Sequence, residues 1–147
     1  VIDEGLRRSV VRRVDEDGKV KNAAYMSGVG SRSIAFGAVG AVALFVVAIA
    51  VGFETWPQRA AIGVAGATVA IVATTEYRIL ALTSKGLVLL RSSRIRRRAT
   101  EVIERLDDSV VIEAVGTNLL VTEYAVGGSR YFVSRRYQQD MNAIIDR

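Results

Sequence analysis

Arg91 and the run Arg94-Ile95-Arg96-Arg97-Arg98 place five guanidinium groups within eight residues, the densest charge feature of the chain. A guanidinium is a permanent cation with a planar fork of donors, so the cluster suits oxyanions. An anionic lipid surface is one such target, and there each basic residue contributes ~1 kcal/mol. Arg91, Arg94, Arg96, Arg97 and Arg98 are therefore the candidate lipid- or partner-binding residues. The same run also reads as a solvated strand connection that helps to fix membrane topology. Nucleic acid is not an expected partner, because the run is short and a tethered domain has limited access to it.

Other chemistry is scarce. The chain has no cysteine and no histidine, which removes disulfides, thiolate and imidazole metal sites, Cys and His nucleophiles and the usual general base. Ser84-Lys85 has the residue types of a Ser/Lys nucleophile, but neighbours in a tight turn point apart and Gly86 marks them as turn residues. Asp107-Asp108 and Glu101, Glu104, Glu113 and Glu123 lack metal-loop spacing; the glutamates alternate with apolar residues, as on the wet face of a half-exposed sheet. Gly28-Val29-Gly30 lacks both the third glycine and the preceding strand of a nucleotide loop. Met26 and Met141 are too few to form a haem or copper ligand cluster. The expectation is a non-enzyme with no catalytic residues, no metal, no cofactor and no small-molecule substrate.

The elements that would position the arginines begin with two apolar runs. Ile34 to Phe53 is twenty residues without a charge, and at about 1.5 Å per residue it reaches ~30 Å, the thickness of a bilayer core. After Glu54-Thr55-Trp56-Pro57-Gln58-Arg59, the run Ala60 to Thr75 is again uncharged, and apolar residues carry it to Tyr77. Neither run shows a polar face at helical period, which argues against buried helices of an all-α core. A membrane hairpin, residues 34–53 and 60–77, is expected, with Trp56 and Tyr77 in the interfacial aromatic belts and Pro57 in a first helical turn. Small residues recur at four-residue spacing, Gly37 with Ala41, Gly63 with Ala67 and Gly66 with Ala70. Such spacing lets backbones approach closely, either between the two helices or against a neighbouring membrane subunit. Neither run holds an ionisable residue in its interior, which argues against an ion or proton pathway.

Of the 20 basic residues, 17 are arginine; they flank the hairpin on both sides, whereas its turn holds only Arg59. The positive-inside rule then puts both ends in the cytoplasm of a multi-pass inner-membrane protein. Residues 1–33 form an N-terminal segment too polar for the core of a signal peptide. In it Leu6, Val10, Val11 and Val14 share a helical face between Arg7-Arg8 and Arg12-Arg13, suggesting an amphipathic helix on the membrane or on a partner, or else a solvated tail whose Asp3, Glu4, Asp15, Glu16 and Asp17 nearly cancel its basic residues.

From residue 78 to 147 the pattern becomes short β-branched runs separated by turn signals. Strands are expected at 78–83, 86–92, 100–106, 109–115, 118–126 and 129–135, with Gly86, Gly116-Thr117-Asn118 and Gly127-Gly128 serving the turns. Ser134 is placed to cap a final helix with Tyr137, Met141, Ile144 and Ile145 on one face. The fold class is thus a membrane α-helical hairpin plus an α+β cytoplasmic domain.

Six antiparallel strands closed by one helix resemble the pleckstrin-homology-like (PH-like) fold. The stretch from Tyr77 to Arg91, YRILALTSKGLVLLR, is similar to the opening hairpin of bacterial membrane-anchored versions. The resemblance covers roughly the last 70 residues, one strand short of that family's seven, and implies an antiparallel sheet or partial barrel. The arginine bias, with abundant Ala, Val and Gly, resembles actinobacterial coding, and the layout is similar to association factors of the cytochrome bcc and aa3 respiratory supercomplex. These resemblances imply a non-catalytic accessory subunit of an inner-membrane complex, with membrane lipid and other integral membrane subunits as partners. The alternative is a membrane-anchored PH-like module that binds anionic lipid or a protein for signalling or scaffolding.

Overall fold

The computed structural model describes residues 4–14, 19–29, 31–107 and 109–147. Asp3, Asp15-Glu16-Asp17, Gly30 and Asp108, named above, lie outside the described residues. The elements in chain order are α1 (Glu4–Val11), β1 (Val20–Gly28), α2 (Ser31–Ala50), α3 (Trp56–Thr74), β2 (Glu76–Thr83), β3 (Gly86–Ser92), β4 (Ala99–Leu106), β5 (Ile112–Thr117), β6 (Val121–Val126), β7 (Ser129–Ser134), a 3-10 turn (Arg135–Tyr137) and α4 (Gln138–Ile145). Two units result: residues up to Gly28 joined by Tyr77–Arg147, and Val29–Glu76.

The first unit is a seven-stranded antiparallel sheet in the order β4-β3-β2-β1-β7-β6-β5, with α4 as its C-terminal helix, an arrangement consistent with a PH-like α+β domain. The seventh strand is β1, which falls in the segment 1–33, where the sequence predicts no strand. It lies between β2 and β7, so strands from both sides of the helical pair share one sheet. Its burial is nearly continuous, with Ala23, Ala24 and Met26 fully covered, and small side chains at these positions show no alternation to read. Gly28 therefore does follow a strand, contrary to expectation, although that strand leads into a different connection from a nucleotide loop.

β2 and β3 pair from Arg78↔Arg91 to Thr83↔Gly86 through the turn Ser84-Lys85, where Gly86 takes a φ of 126°. A positive φ of this size is open to glycine and strained for other residues. The Thr83 hydroxyl donates to the Gly86 carbonyl at 2.8 Å and accepts from the Lys85 amide at 3.3 Å, which locks the turn. Gly127-Gly128 likewise joins β6 to β7 with both φ values positive. β5 starts later than expected, at Ile112, and β6 at Val121, because the Asn118 side-chain oxygen accepts from the Leu120 and Val121 amides at 3.0 and 2.9 Å and holds residues 118–120 in a turn.

The core takes Ile79, Leu80, Leu87 and Leu90 from the sheet, and Tyr137, Met141 and Ile144 from the C-terminal end. Ser134 makes no side-chain cap; a 3-10 turn precedes α4 instead. At the other end of the chain, Leu6, Val10 and Val14 are also buried in this core. The apolar face of α1 is thus spent on its own sheet and is not offered to a membrane or a partner; Val11 stays partly exposed on another face.

In the second unit, α2 and α3 lie against each other as a helical hairpin. Arg32–Ala50 is the one helix among the described residues long and apolar enough to cross a membrane, with a mean hydropathy of 2.5. α3 ends at Thr74, so the run does not extend to 77; Glu76 and Tyr77 belong to β2, and Tyr77 stacks on Tyr25 instead of marking a helix end.

Burial of Met26 at the centre of the sheet gives a direct test. Met26→Ala should cost ~2–5 kcal/mol, the usual loss for truncating a buried large side chain, whereas an exposed-strand change such as Glu113→Ala should stay within about 0.5 kcal/mol. Hydrogen exchange of the strand amides in detergent reads both. Equal effects would mean that β1 is peripheral.

Candidate functional site

The arginine run forms the connection between β3 and β4. The Ser93 amide donates to the Arg98 carbonyl at 2.9 Å and the Arg97 amide to the Ser93 carbonyl at 3.0 Å, closing the loop into a tight turn. Arg97 is the one non-glycine residue with positive φ among the described residues, at 48°. A left-handed conformation costs a side-chain-bearing residue ~1–2 kcal/mol. It lays the Arg97 guanidinium over the Tyr25 ring, 5.9 Å from the centroid, a cation–π contact. Arg91 pairs with Glu101 at 2.7 Å, both half-exposed, an interaction worth little in solvent. Arg94, Arg96 and Arg98 are exposed and make no ion pair among the described residues. Between them Ile95 is 91% exposed. The turn is thus an apolar tip ringed by free cations.

Topology decides where the turn lies. The Lys19 carbonyl accepts from the Ser84 amide at 3.0 Å, so the start of β1 meets the end of β2. At the opposite end Tyr25 stacks on Tyr77, with ring centroids 5.9 Å apart, and Arg78 registers with Arg91. The turn 93–98 therefore sits at the end of the sheet where the chain departs at Gly28 and returns at Tyr77.

Beneath the turn, Tyr25 also meets Tyr137 at 6.0 Å. Burial, and after it the Tyr77 hydroxyl, push the Tyr25 pKa up to about 12, against opposing effects from Arg97 and Arg94. Tyr25 stays neutral at physiological pH and serves as an aromatic platform for Arg97 rather than as a base or nucleophile. The Tyr137 hydroxyl is buried without a hydrogen-bond partner among the described residues.

The small residues of the hairpin meet one another. A Cβ on Gly66 would lie 2.5 Å from the Gly40 carbonyl oxygen, and one on Gly40 would lie 2.8 Å from the Gly66 carbonyl oxygen. Gly37 faces Ile71 and the Ala67 carbonyl, Gly63 faces the Ala41 carbonyl, and Ala70 meets Gly40. Gly37, Ala41, Gly63, Gly66, Ala67 and Ala70 therefore line the seam between α2 and α3. Gly40, which the four-residue spacing passes over, stands at its closest point. The Ser33 hydroxyl donates to the Thr74 carbonyl at 2.9 Å at one end of the seam, and Phe45 meets Trp56 edge-on at 5.3 Å toward the other. Outward, Val39, Val42, Val64 and Val69 are 64–68% exposed. Thr68, Thr74 and Thr75 donate their hydroxyls to carbonyls of their own helix, which leaves few free polar groups on this surface.

The other candidates disperse. The Ser84 hydroxyl accepts from the Lys19 amide at 3.2 Å, a contact that joins the turn to the start of β1. Met26 and Met141 are both buried in the hydrophobic core. Among the described residues no three acidic side chains gather as metal ligands would. Glu123 pairs with Arg130 at 3.1 Å.

Two tests follow from this geometry. Gly66→Val should destabilise the hairpin by about 1–3 kcal/mol or more through overpacking, read by thermal unfolding on the single Trp56, while Ala65→Val on the outer face should leave it unchanged. Because the folded pKa of Tyr25 lies above its ordinary 10.0, its contribution to stability is complete below pH 10 and falls as pH rises toward 12. Tyrosinate absorbance should show a late-ionising tyrosine that Tyr25→Phe removes, with Tyr124, also raised by burial, remaining late.

Comparison of the chain with family models, curated proteins and solved structures found no match.

Proposed function

We propose that this protein is a non-catalytic, membrane-anchored module: α2 and α3 cross the bilayer as a hairpin, both flanks stay in the cytoplasm, and the turn 93–98 rests on anionic lipid. The observation that carries the proposal is the apolar outer surface of the hairpin, whose valines have no cover within their own unit. Such a surface is costly in water and neutral in lipid.

The sheet supplies a second support. β1 precedes the hairpin and β2 follows it, yet both lie in one sheet, so the chain crosses any membrane an even number of times between them. If α2 spans, α3 must return. α3 has 19 residues, but its first turn, Trp56-Pro57-Gln58-Arg59, is polar, so the return crossing rests on the even-crossing constraint rather than on the apolar length of α3. The scarcity of basic residues in the hairpin turn, set against those on both flanks, directs the flanks to the cytoplasm. Two residues separate Gly28 from Ser31, and the arginine turn belongs to the sheet end from which this short link departs. There Arg94 and Arg96 can meet headgroups while Ile95 enters the interface.

A second reading, an accessory subunit of a larger inner-membrane assembly such as a respiratory supercomplex, is favoured by one feature. Leu119 and Leu120, at the tip of the β5–β6 turn, are 87% and 76% exposed. Apolar residues this exposed suit a protein neighbour. Under this reading the same hairpin surface meets membrane helices of other subunits.

The chain's lack of cysteine makes the topology test clean. Gln58→Cys should react with an impermeant maleimide applied to intact cells and Asp146→Cys should not; the reverse pattern would overturn the proposed orientation. Full-length Ile95→Cys carrying a polarity-sensitive dye, in nanodiscs, should shift to the blue with anionic but not zwitterionic lipid, and high salt should reverse the shift. No shift, together with co-migrating subunits after mild extraction, would favour the accessory-subunit reading.

A further inference from the structure

The turn 93–98 is not the whole of the basic surface. α1 is fastened beside it: Leu6, Val10 and Val14 are buried in the core, and the Ser9 hydroxyl accepts from the Ala99 amide at 3.0 Å while donating to the Leu6 carbonyl at 2.7 Å. This contact joins residues 90 positions apart in sequence and sets the polar side of α1 against the first residue of β4. Arg8 and Arg12, one helical turn apart, then come to the same cleft as Arg98. The cleft measures about 180 Å³ and is lined by Gly5, Arg8, Ser9, Arg12 and Arg98.

We propose that this cleft between α1 and the start of β4 is a binding site for a single phosphate group, held by Arg8, Arg12 and Arg98. Among the described residues the charged lining is three cations with no carboxylate, a field that favours an anion. Glu4 pairs with Arg8 at 2.9 Å from outside the lining, but both partners are more than 70% exposed, so the pair is screened by solvent and yields readily. Guanidinium forks match the oxygens of a phosphate in pairs, which a lysine cluster does not do. Size narrows the ligand further. Sites that enclose a small molecule occupy ~300–1,000 Å³, and this cleft is smaller. It fits a phosphate presented at the end of a larger molecule, or the free ion, rather than an enclosed nucleotide.

The site is distinct from the lipid contact of Arg94, Ile95 and Arg96 and does not depend on it, because Arg8, Arg12 and Arg98 belong to one unit whatever the hairpin does. The phosphate could arrive on a lipid headgroup or in solution. Full-length protein in neutral detergent would therefore be titrated with three probes: inorganic phosphate, short-chain phosphatidic acid in mixed micelles, and short-chain phosphatidylcholine in the same micelles. Binding is followed by the Nε–H resonances of the arginines.

Saturable binding of phosphatidic acid or of inorganic phosphate, weakened roughly tenfold or more by Arg12→Gln and by Arg98→Gln but unchanged by Arg130→Gln on β7, is the expected result. Arg12→Lys, which keeps the charge and loses the fork, should fall between wild type and Arg12→Gln. Saturation by the phospholipid alone identifies a headgroup site, and equal saturation by the free ion identifies a soluble phosphate. Binding that never saturates, that phosphatidylcholine matches, or that Arg12→Gln and Arg98→Gln leave intact would overturn the proposal. Unchanged hydrogen-exchange protection of Val10 in each variant confirms that α1 is still docked when binding is read.

Discussion

Everything in this chain depends on one set of backbone hydrogen bonds, those that seat β1 between β2 and β7. Because β1 comes before the helical hairpin and its neighbours come after, the sheet closes a loop around residues 29–76. A strand with partners on both sides cannot drift without breaking two ladders at once. The hairpin is therefore an insertion into a sheet rather than an anchor attached to the end of one. β1 ends and β2 begins at the same end of the sheet, where Tyr25 stacks on Tyr77.

That arrangement gives the arginines different tasks. Arg91 is neutralised by Glu101 on the sheet surface. Arg97 accepts a strained backbone and lies across Tyr25, tying the turn to the strand that leads into the hairpin. Arg94 and Arg96 project around Ile95, and Arg98 turns toward the cleft it shares with Arg8 and Arg12. A cluster that looks uniform by composition is divided by geometry into a pinned member, a paired member and free cations.

The hairpin follows a different rule. The two helices approach closely, and the approach is set by Gly40 and Gly66, each occupying space that a side chain on the other would need. The small residues are used between α2 and α3, which leaves the bulky valines and Phe36 facing outward. The proposed lipid contact of this surface and the proposed subunit contact draw on the same outward residues, not on the glycines.

Several features were legible from local spacing alone. The β2–β3 hairpin announced itself by Gly86 between two apolar runs, Gly127-Gly128 by its residue types, the first long helix by twenty uncharged residues, and the C-terminal helix by Tyr137, Met141 and Ile144. The missing His and Cys excluded whole classes of chemistry before any fold was known. What only the tertiary structure decided was the company each segment keeps. β1 carries alanines buried on a central strand, so no alternation marks it; α1 reads equally well as a membrane-surface helix until Leu6, Val10 and Val14 are found in the core. Gly40 gains its role from Gly66 on another helix, and Arg8, Arg12 and Arg98 become neighbours only through the Ser9–Ala99 hydrogen bond. The physical reason is common to all of these: periodicity reports which face of a segment avoids water, but the identity of what covers that face is a long-range property of the folded chain.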